Sequence, residues 1–252
     1  MTRDQAERMG APRAIALCQC FSGALDFQVG RWDVAERDLR EAIERYRGIG
    51  AASGESLSLQ RLGVLLTARG RLDEAIAALD EGVVVAERAI MRSHCLTRLQ
   101  ASLARNRLAA GDLDGATEAI AVGDLHAARH GHCVTCNALL LPEAVRVALR
   151  RGDVADAETR AKALEEAAAE FGSKAWRAMA RTARGRVLAA EGRAREAGEA
   201  FGEARAAWLA VDAVYDAARC AAEEAAVTGD DARMSEARST FSALGAAAGE
   251  LG

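Results

Sequence analysis

The residues best suited to chemistry in this 252-residue chain crowd into one stretch. All four histidines lie between positions 94 and 132, and three of the six cysteines between 95 and 136. Cys133-x-x-Cys136 has the spacing of a two-thiolate chelate for zinc, which takes four ligands at about 2.0–2.3 Å. Cys95 would add a third sulfur, and His94, His130 or His132 a nitrogen, giving a Cys3His set that needs no other cofactor. The same spacing also suits a disulfide or redox switch joining Cys95 to Cys133 or Cys136, and cysteine is a good small core residue in its own right. Sequence leaves these three readings side by side. Haem attachment is disfavoured because Asn137, not histidine, follows the second cysteine. Cys18 and Cys20 are two residues apart and point to different sides of a helix, so they do not chelate together; Cys220 reads as core.

Arginines form a second set. Arg105, Arg146 and Arg186 recur at intervals of 41 and 40 residues, and Arg61, Arg98 and Arg219 fall near them in the same frame. A row of guanidinium groups matches carboxylate or phosphate partners through paired hydrogen bonds. The plainer reading is a solvated face balanced by Glu143 and Glu223. No phosphate-binding Gly-x-x-x-x-Gly-Lys-Ser/Thr loop, dinucleotide fingerprint, nucleophile elbow or His-Glu-x-x-His is present. A non-enzymatic protein is therefore expected.

The elements that must position these residues are announced by a recurring turn. Gly70-Arg-Leu-Asp-Glu-Ala-Ile76 has counterparts beginning at Gly30, Gly111, Gly152, Gly192 and, in degenerate form, Gly229; the glycines are 40, 41, 41, 40 and 37 residues apart. A fixed period in this range is the mark of a stacked repeat array. The glycine supplies a positive φ where one helix ends and the next begins, and Asp33 or Asp73 just beyond suits a helix start. Seven residues before the glycine come Gly23, Gly63, Ala104, Gly185 and Ala222, with Val145 the exception. Five after it come Ala35, Ala75, Ala116, Ala157 and Ala197, and nine after it Leu39, Leu79, Ile120, Ala161 and Phe201.

With Leu62-Gly63, Gly70, Ala75, Leu79 and Gly82 in register, and parallels in the other repeats, residues 13–248 resemble the tetratricopeptide repeat (TPR) family. The units run about six residues longer than the 34-residue standard, like the extended helical segments of large bacterial signalling proteins such as LuxR-type regulators. The resemblance implies an all-α α-solenoid, a right-handed superhelix of about six antiparallel helical hairpins. It implies that the Arg105–Arg146–Arg186 row looks into a concave groove, where an acidic protein segment would bind. The function it implies is a protein–protein interaction scaffold in signalling or transcription regulation. The alternative is a metal- or redox-responsive sensor using the cysteine–histidine cluster.

Composition agrees with one helical domain over residues 13–252, preceded by a charged, frayed stretch at 1–12. Half the residues are hydrophobic and only Pro12 and Pro142 are prolines. Pro142 predicts a kink, or a helix that properly begins near Leu141. The net charge of −4 implies no general affinity for nucleic acid, and no apolar run approaches the ~20 residues of a membrane span. The start, Met1-Thr-Arg-Asp-Gln-Ala-Glu-Arg8, has no apolar core, so a reducing cytoplasm is the expected location. From Ala14 to Gly30 the only acidic or basic residue is Asp26. A helix this apolar is expected to be covered, and a second copy of the chain is one partner it suits. Trp32, Trp176, Trp208, Phe27, Phe171 and Phe201 read as core.

Overall fold

The computed structural model describes residues 3–251, and among these every regular element is helical. A short helix α1 (Arg3–Arg8), with Ala6 buried, occupies the stretch expected to be frayed. Six hairpins follow: α2 (Pro12–Gln28) and α3 (Trp32–Gly48), α4 (Ala52–Ala68) and α5 (Leu72–Ala86), α6 (Arg92–Ala109) and α7 (Leu113–Arg129). The remaining three are α8 (Val134–Arg150) and α9 (Val154–Phe171), α10 (Lys174–Ala190) and α11 (Ala194–Leu209), α12 (Val214–Thr228) and α13 (Asp231–Leu244). A 3₁₀ turn over Ala248–Leu251 ends the described chain.

Each repeated glycine closes the first helix of a hairpin. Gly30 and Gly70 have φ of +87° and +74°, values open to glycine without a Cβ clash. That geometry lets the N–H of Arg31 reach back to the carbonyl of Asp26 while Gly30 bonds Phe27, the paired bonds of a Schellman stop. The same pair recurs at Arg71–Leu66 and Gly70–Thr67, and at Asp112–Arg107 and Gly111–Leu108. Beyond the glycine, Asp112, Asp153 and Asp230 cap the second helix by accepting the backbone N–H three residues on. Asp33 and Asp73 instead lie in the first helical turn, where a carboxylate favours the dipole.

Hairpins close through complementary volumes. A Cβ built on Gly23 would sit 2.8 Å from Leu39 Cγ, and one on Gly63 2.5 Å from Leu79 Cγ. On Gly185 it would sit 2.8 Å from the Phe201 ring. The small position of the first helix thus receives the large side chain of the second. Val145, the exception to the small-residue rule, shares its core cluster with Ala161, the smallest residue at the partner position. Because Leu79 is fully buried and has nowhere to retreat, Gly63→Ala is expected to destabilise the chain by about 1–3 kcal/mol. Urea unfolding would show it as a lower midpoint at unchanged slope.

First helices also pack on first helices, α2 on α4, α4 on α6, α6 on α8 and α8 on α10, while each second helix leans on the next first helix. The first and last hairpins meet as well. The ring of Tyr215 from α12 lies 5.3 Å from that of Trp32 and 5.9 Å from that of Phe27, and Phe241 of α13 joins them. Gln28 donates to the carbonyl of Val211, and the N–H of Ala247 donates to the carbonyl of Ala68. Helix α8 runs unbroken from Val134 through Pro142, so it does not begin at Leu141 as one expectation had it. On α2, Leu17, Phe21 and Leu25 are about half exposed, the apolar face anticipated from sequence. Of the six large aromatics read as core, Trp32, Trp208 and Phe201 are buried, while Phe171 lies open beside Trp176. No described helix is long and apolar enough to cross a membrane.

Candidate binding cavity and histidine–cysteine group

The first helices line most of an open cavity of about 400 Å³. Five of the six arginines singled out above reach its wall: Arg61 from α4, Arg98 and Arg105 from α6, Arg186 from α10 and Arg219 from α12. Glu143 and Asp216 are the acidic members of the wall, and Phe27, Val64, Leu139, Met179 and Trp208 supply apolar surface. Trp208, read from sequence simply as core, is thus also a wall residue. Its indole N–H is spent on Thr182 Oγ1 at 3.1 Å.

The arginines are held in different ways. Arg186 makes a two-pronged pair with Glu223, at 2.8 and 2.6 Å. Arg146 pairs with Glu143 at 2.9 Å and does not reach the wall. The carboxylates of the plainer reading therefore do neutralise two members of the expected row. Arg105 donates to Tyr215 Oη at 3.0 Å, and Arg105 and Arg219 both lie within 6 Å of the Tyr215 ring centre. Arg61 and Arg98 differ: among the described residues neither has a carboxylate within ion-pair distance. Arg61 donates to Cys20 Sγ and stacks over Phe21, and Arg98 Nε points at Cys136 Sγ at 3.5 Å.

The charges sort the buried acids. Burial pushes Glu223 up, but Arg186, Arg219 and Arg146 together outweigh it and hold the carboxyl below its usual range. Burial likewise opposes Glu143, which Arg146, Arg105 and Arg219 draw down. For Asp216 burial wins over Arg219, Arg105 and Arg186, and the carboxyl is raised. Burial also pushes the Cys220 thiol up to about 12, leaving it protonated and inert at neutral pH.

The histidine–cysteine stretch assembles differently from the Cys3His expectation. His94 of α6, His130 from the end of α7 and Cys136 of α8 bring their ligand atoms within 4.8 Å of one another. Cys95, Cys133 and His132 are not in that group. Cys95 and Cys136 occupy the same position in neighbouring repeats, and for that reason they do not meet. Equivalent side chains point the same way from helix axes about 8–10 Å apart. Cys136 turns back towards His94 and Arg98 of α6, whereas Cys95 turns back towards Ser56 of α4 and is fully buried. His132 is exposed, with a φ of +55° rare outside glycine.

Within the group, His94 Nδ1 lies 3.4 Å from Cys136 Sγ, and the His94 and His130 rings stack at 4.3 Å. The N–H of Cys133 donates to His130 Nδ1 at 3.0 Å, so the neutral ring carries its proton on Nε2. That proton faces Thr97 Oγ1 at 3.0 Å, whose own hydroxyl donates to the Ser93 carbonyl. Burial and the neighbouring His94 both keep His130 neutral by pulling its pKa down. Cys133 caps α8, where the Thr135 hydroxyl and the N–H groups of Cys136 and Thr135 draw its thiol pKa down. Cys136 is pushed up by burial, against the pull of Arg98.

The chain is thus an all-α protein built on a repeated helical hairpin. Comparison with protein-family models and with curated proteins yields no match. Tyr215 is the wall neighbour that sequence reasoning overlooked; its one signal was an aromatic in an otherwise alanine-rich helix.

Proposed function

We propose that this chain is a non-enzymatic interaction module, a TPR-like right-handed superhelix that binds an acidic protein segment in its central cavity. Adjacent-pair packing and the contact between first and last hairpins support the superhelical reading. The observation that carries the binding reading is the pair Arg61 and Arg98, two guanidinium groups on the cavity wall with no carboxylate partner among the described residues. The wall holds five arginines against Glu143 and Asp216, so its charge favours an anion. The volume lies in the range of ligand pockets, about 300–1,000 Å³, which suits a few residues of a segment and not a long stretch. A place in a signalling or transcription-regulatory system rests on the resemblance to extended TPR units.

The test is an array of short acidic peptides, with fluorescence anisotropy on those retained. Binding is expected to weaken steeply with salt. The Arg61→Glu/Arg98→Glu double variant should lose at least tenfold in affinity, as placing like charge opposite a carboxylate costs several kcal/mol. Arg195→Glu, at an exposed site on α11, should change nothing. Equal affinity in the double variant and the parent would sink the reading.

A further inference from the structure

We propose that His94, His130 and Cys136 are three ligands of a zinc-type metal site, and that Cys133 completes it as a Cys2His2 set. The group borders the cavity wall through Arg98, whose Nε points at Cys136 Sγ, and joins three elements: α6, the end of α7 and the first turns of α8. In a tetrahedral zinc site with Zn–N near 2.0 Å and Zn–S near 2.3 Å, ligand atoms lie about 3.3–3.8 Å apart. His94 Nδ1 and Cys136 Sγ are already 3.4 Å apart, and the three ligand atoms span no more than 4.8 Å. Closing the set turns the His94 and His130 rings out of their parallel stack, so that a nitrogen of each faces one ion.

The hydrogen bonds around His130 say which nitrogen takes the metal. A ligating histidine usually donates its other ring N–H to a fixed acceptor. Here Nε2–H already faces Thr97 Oγ1, itself anchored to the Ser93 carbonyl. Nδ1 is therefore the ligating atom, and its lone pair is held by the N–H of Cys133. The metal replaces that N–H. Release of the Cys133 amide frees the turn Gly131–Cys133, whose first two residues have φ of +67° and +55°. Cys133 Sγ is the fourth ligand the turn delivers. It lies one helical turn from Cys136, the Cys-x-x-Cys spacing of a zinc chelate. Each thiol loses its proton to solvent on binding.

The test uses the full chain, untagged, reduced and stripped with chelator, then titrated with Zn²⁺ and with Co²⁺. One ion per chain is expected, with the intense near-ultraviolet thiolate-to-cobalt absorption and the strong visible bands of tetrahedral Co²⁺. His94→Ala and Cys136→Ser should each weaken binding at least a hundredfold. Cys133→Ser should weaken it at least tenfold and reduce the thiolate absorption, while His132→Ala should behave as the parent. Far-ultraviolet circular dichroism checks that each variant is folded. If Cys136→Ser unfolds, Thr97→Val provides the second reading: it removes the acceptor of Nε2–H and should weaken Zn²⁺ binding without touching a ligand. Absence of stoichiometric binding by the folded parent, or parent-like affinity in folded His94→Ala, would overturn the site. Parent-like cobalt spectra in Cys133→Ser would overturn the four-ligand set.

Discussion

Glu223→Ala is expected to cost about 3 kcal/mol of stability. The carboxylate holds Arg186 by two hydrogen bonds, and the two side chains are only 22% and 13% exposed. Removing one partner of a buried ion pair leaves the other charge desolvated and unsatisfied, a loss of roughly 3–5 kcal/mol, here at the lower end because Glu223 keeps some contact with water. The replacement would not be equivalent to losing any salt bridge: the exposed pair Arg195–Glu199 should be worth well under about 1 kcal/mol. Glu223→Gln retains an acceptor for Arg186 and should cost less than Glu223→Ala. Adding Arg186→Met to Glu223→Ala should recover most of the loss, because it removes the stranded charge and fills the space with apolar atoms. Urea unfolding at neutral pH measures all four chains.

The same pair sets an acid limit. Glu223 and Glu143 have folded pKa values below the ordinary 4.5, so the folded state binds their protons more weakly than the unfolded state. Their contribution is fully present above about pH 4.5 and is lost as pH falls through the depressed values. Asp216 works in the opposite sense, since its raised pKa makes ionisation costly to the fold. Its penalty is absent below the ordinary 3.8, grows as pH rises from there to its folded value, and is constant above it. Glu223→Gln removes one of the two depressed carboxyls and should flatten the fall in stability below about pH 4.5.

How far the sequence discloses this molecule depends on whether a feature lives inside one repeat or between distant ones. The hairpins are legible because each turn needs a positive φ that Gly30 or Gly70 supplies, and because Gly63 and Leu79 are complementary in size sixteen residues apart. The arginine wall is legible as far as the frame goes: five of six positions reach the cavity. Which of them are neutralised is not, since Glu223 meets Arg186 across hairpins and no local pattern marks that pairing. The cysteine–histidine set is legible in part. Sequence offers Cys95 as a third sulfur beside Cys136, yet the two hold matching repeat positions, and translation from one hairpin to the next keeps equivalent side chains parallel. The residues that do meet Cys136 are non-equivalent ones, His94 and His130, one from the preceding first helix and one from the end of its second. The contact between first and last hairpins is the least legible feature, because it depends on small rotations accumulated over five junctions, and periodicity carries no record of their sum.

That contact is where the second large effect is expected. Tyr215→Ala should destabilise the chain by about 3–5 kcal/mol, the usual range for deleting a fully buried large aromatic. Tyr215 is 1% exposed and packs on Phe27, Trp32 and Phe241, so its removal opens a cavity lined by residues of hairpins one and six at once. Arg105 would lose the hydroxyl that accepts its hydrogen bond and the ring beneath its guanidinium. Tyr215→Phe separates the two contributions. It keeps the packing and forfeits the hydroxyl that accepts from the charged Arg105, a hydrogen bond worth about 1.5–3 kcal/mol. The distinguishing measurement is amide hydrogen exchange. If Tyr215 fastens the two ends of the array, its truncation should raise exchange in α2, α3, α12 and α13 while α6 to α9 keep their protection, because repeat arrays hold together through nearest-neighbour interfaces. A uniform loss of protection along the chain would instead make the aromatic cluster part of a single cooperative core. Uneven loss would also bear on binding, since Arg105 and Arg219 are arranged about the Tyr215 ring. The cavity that holds them is complete only while the last hairpin stays against the first.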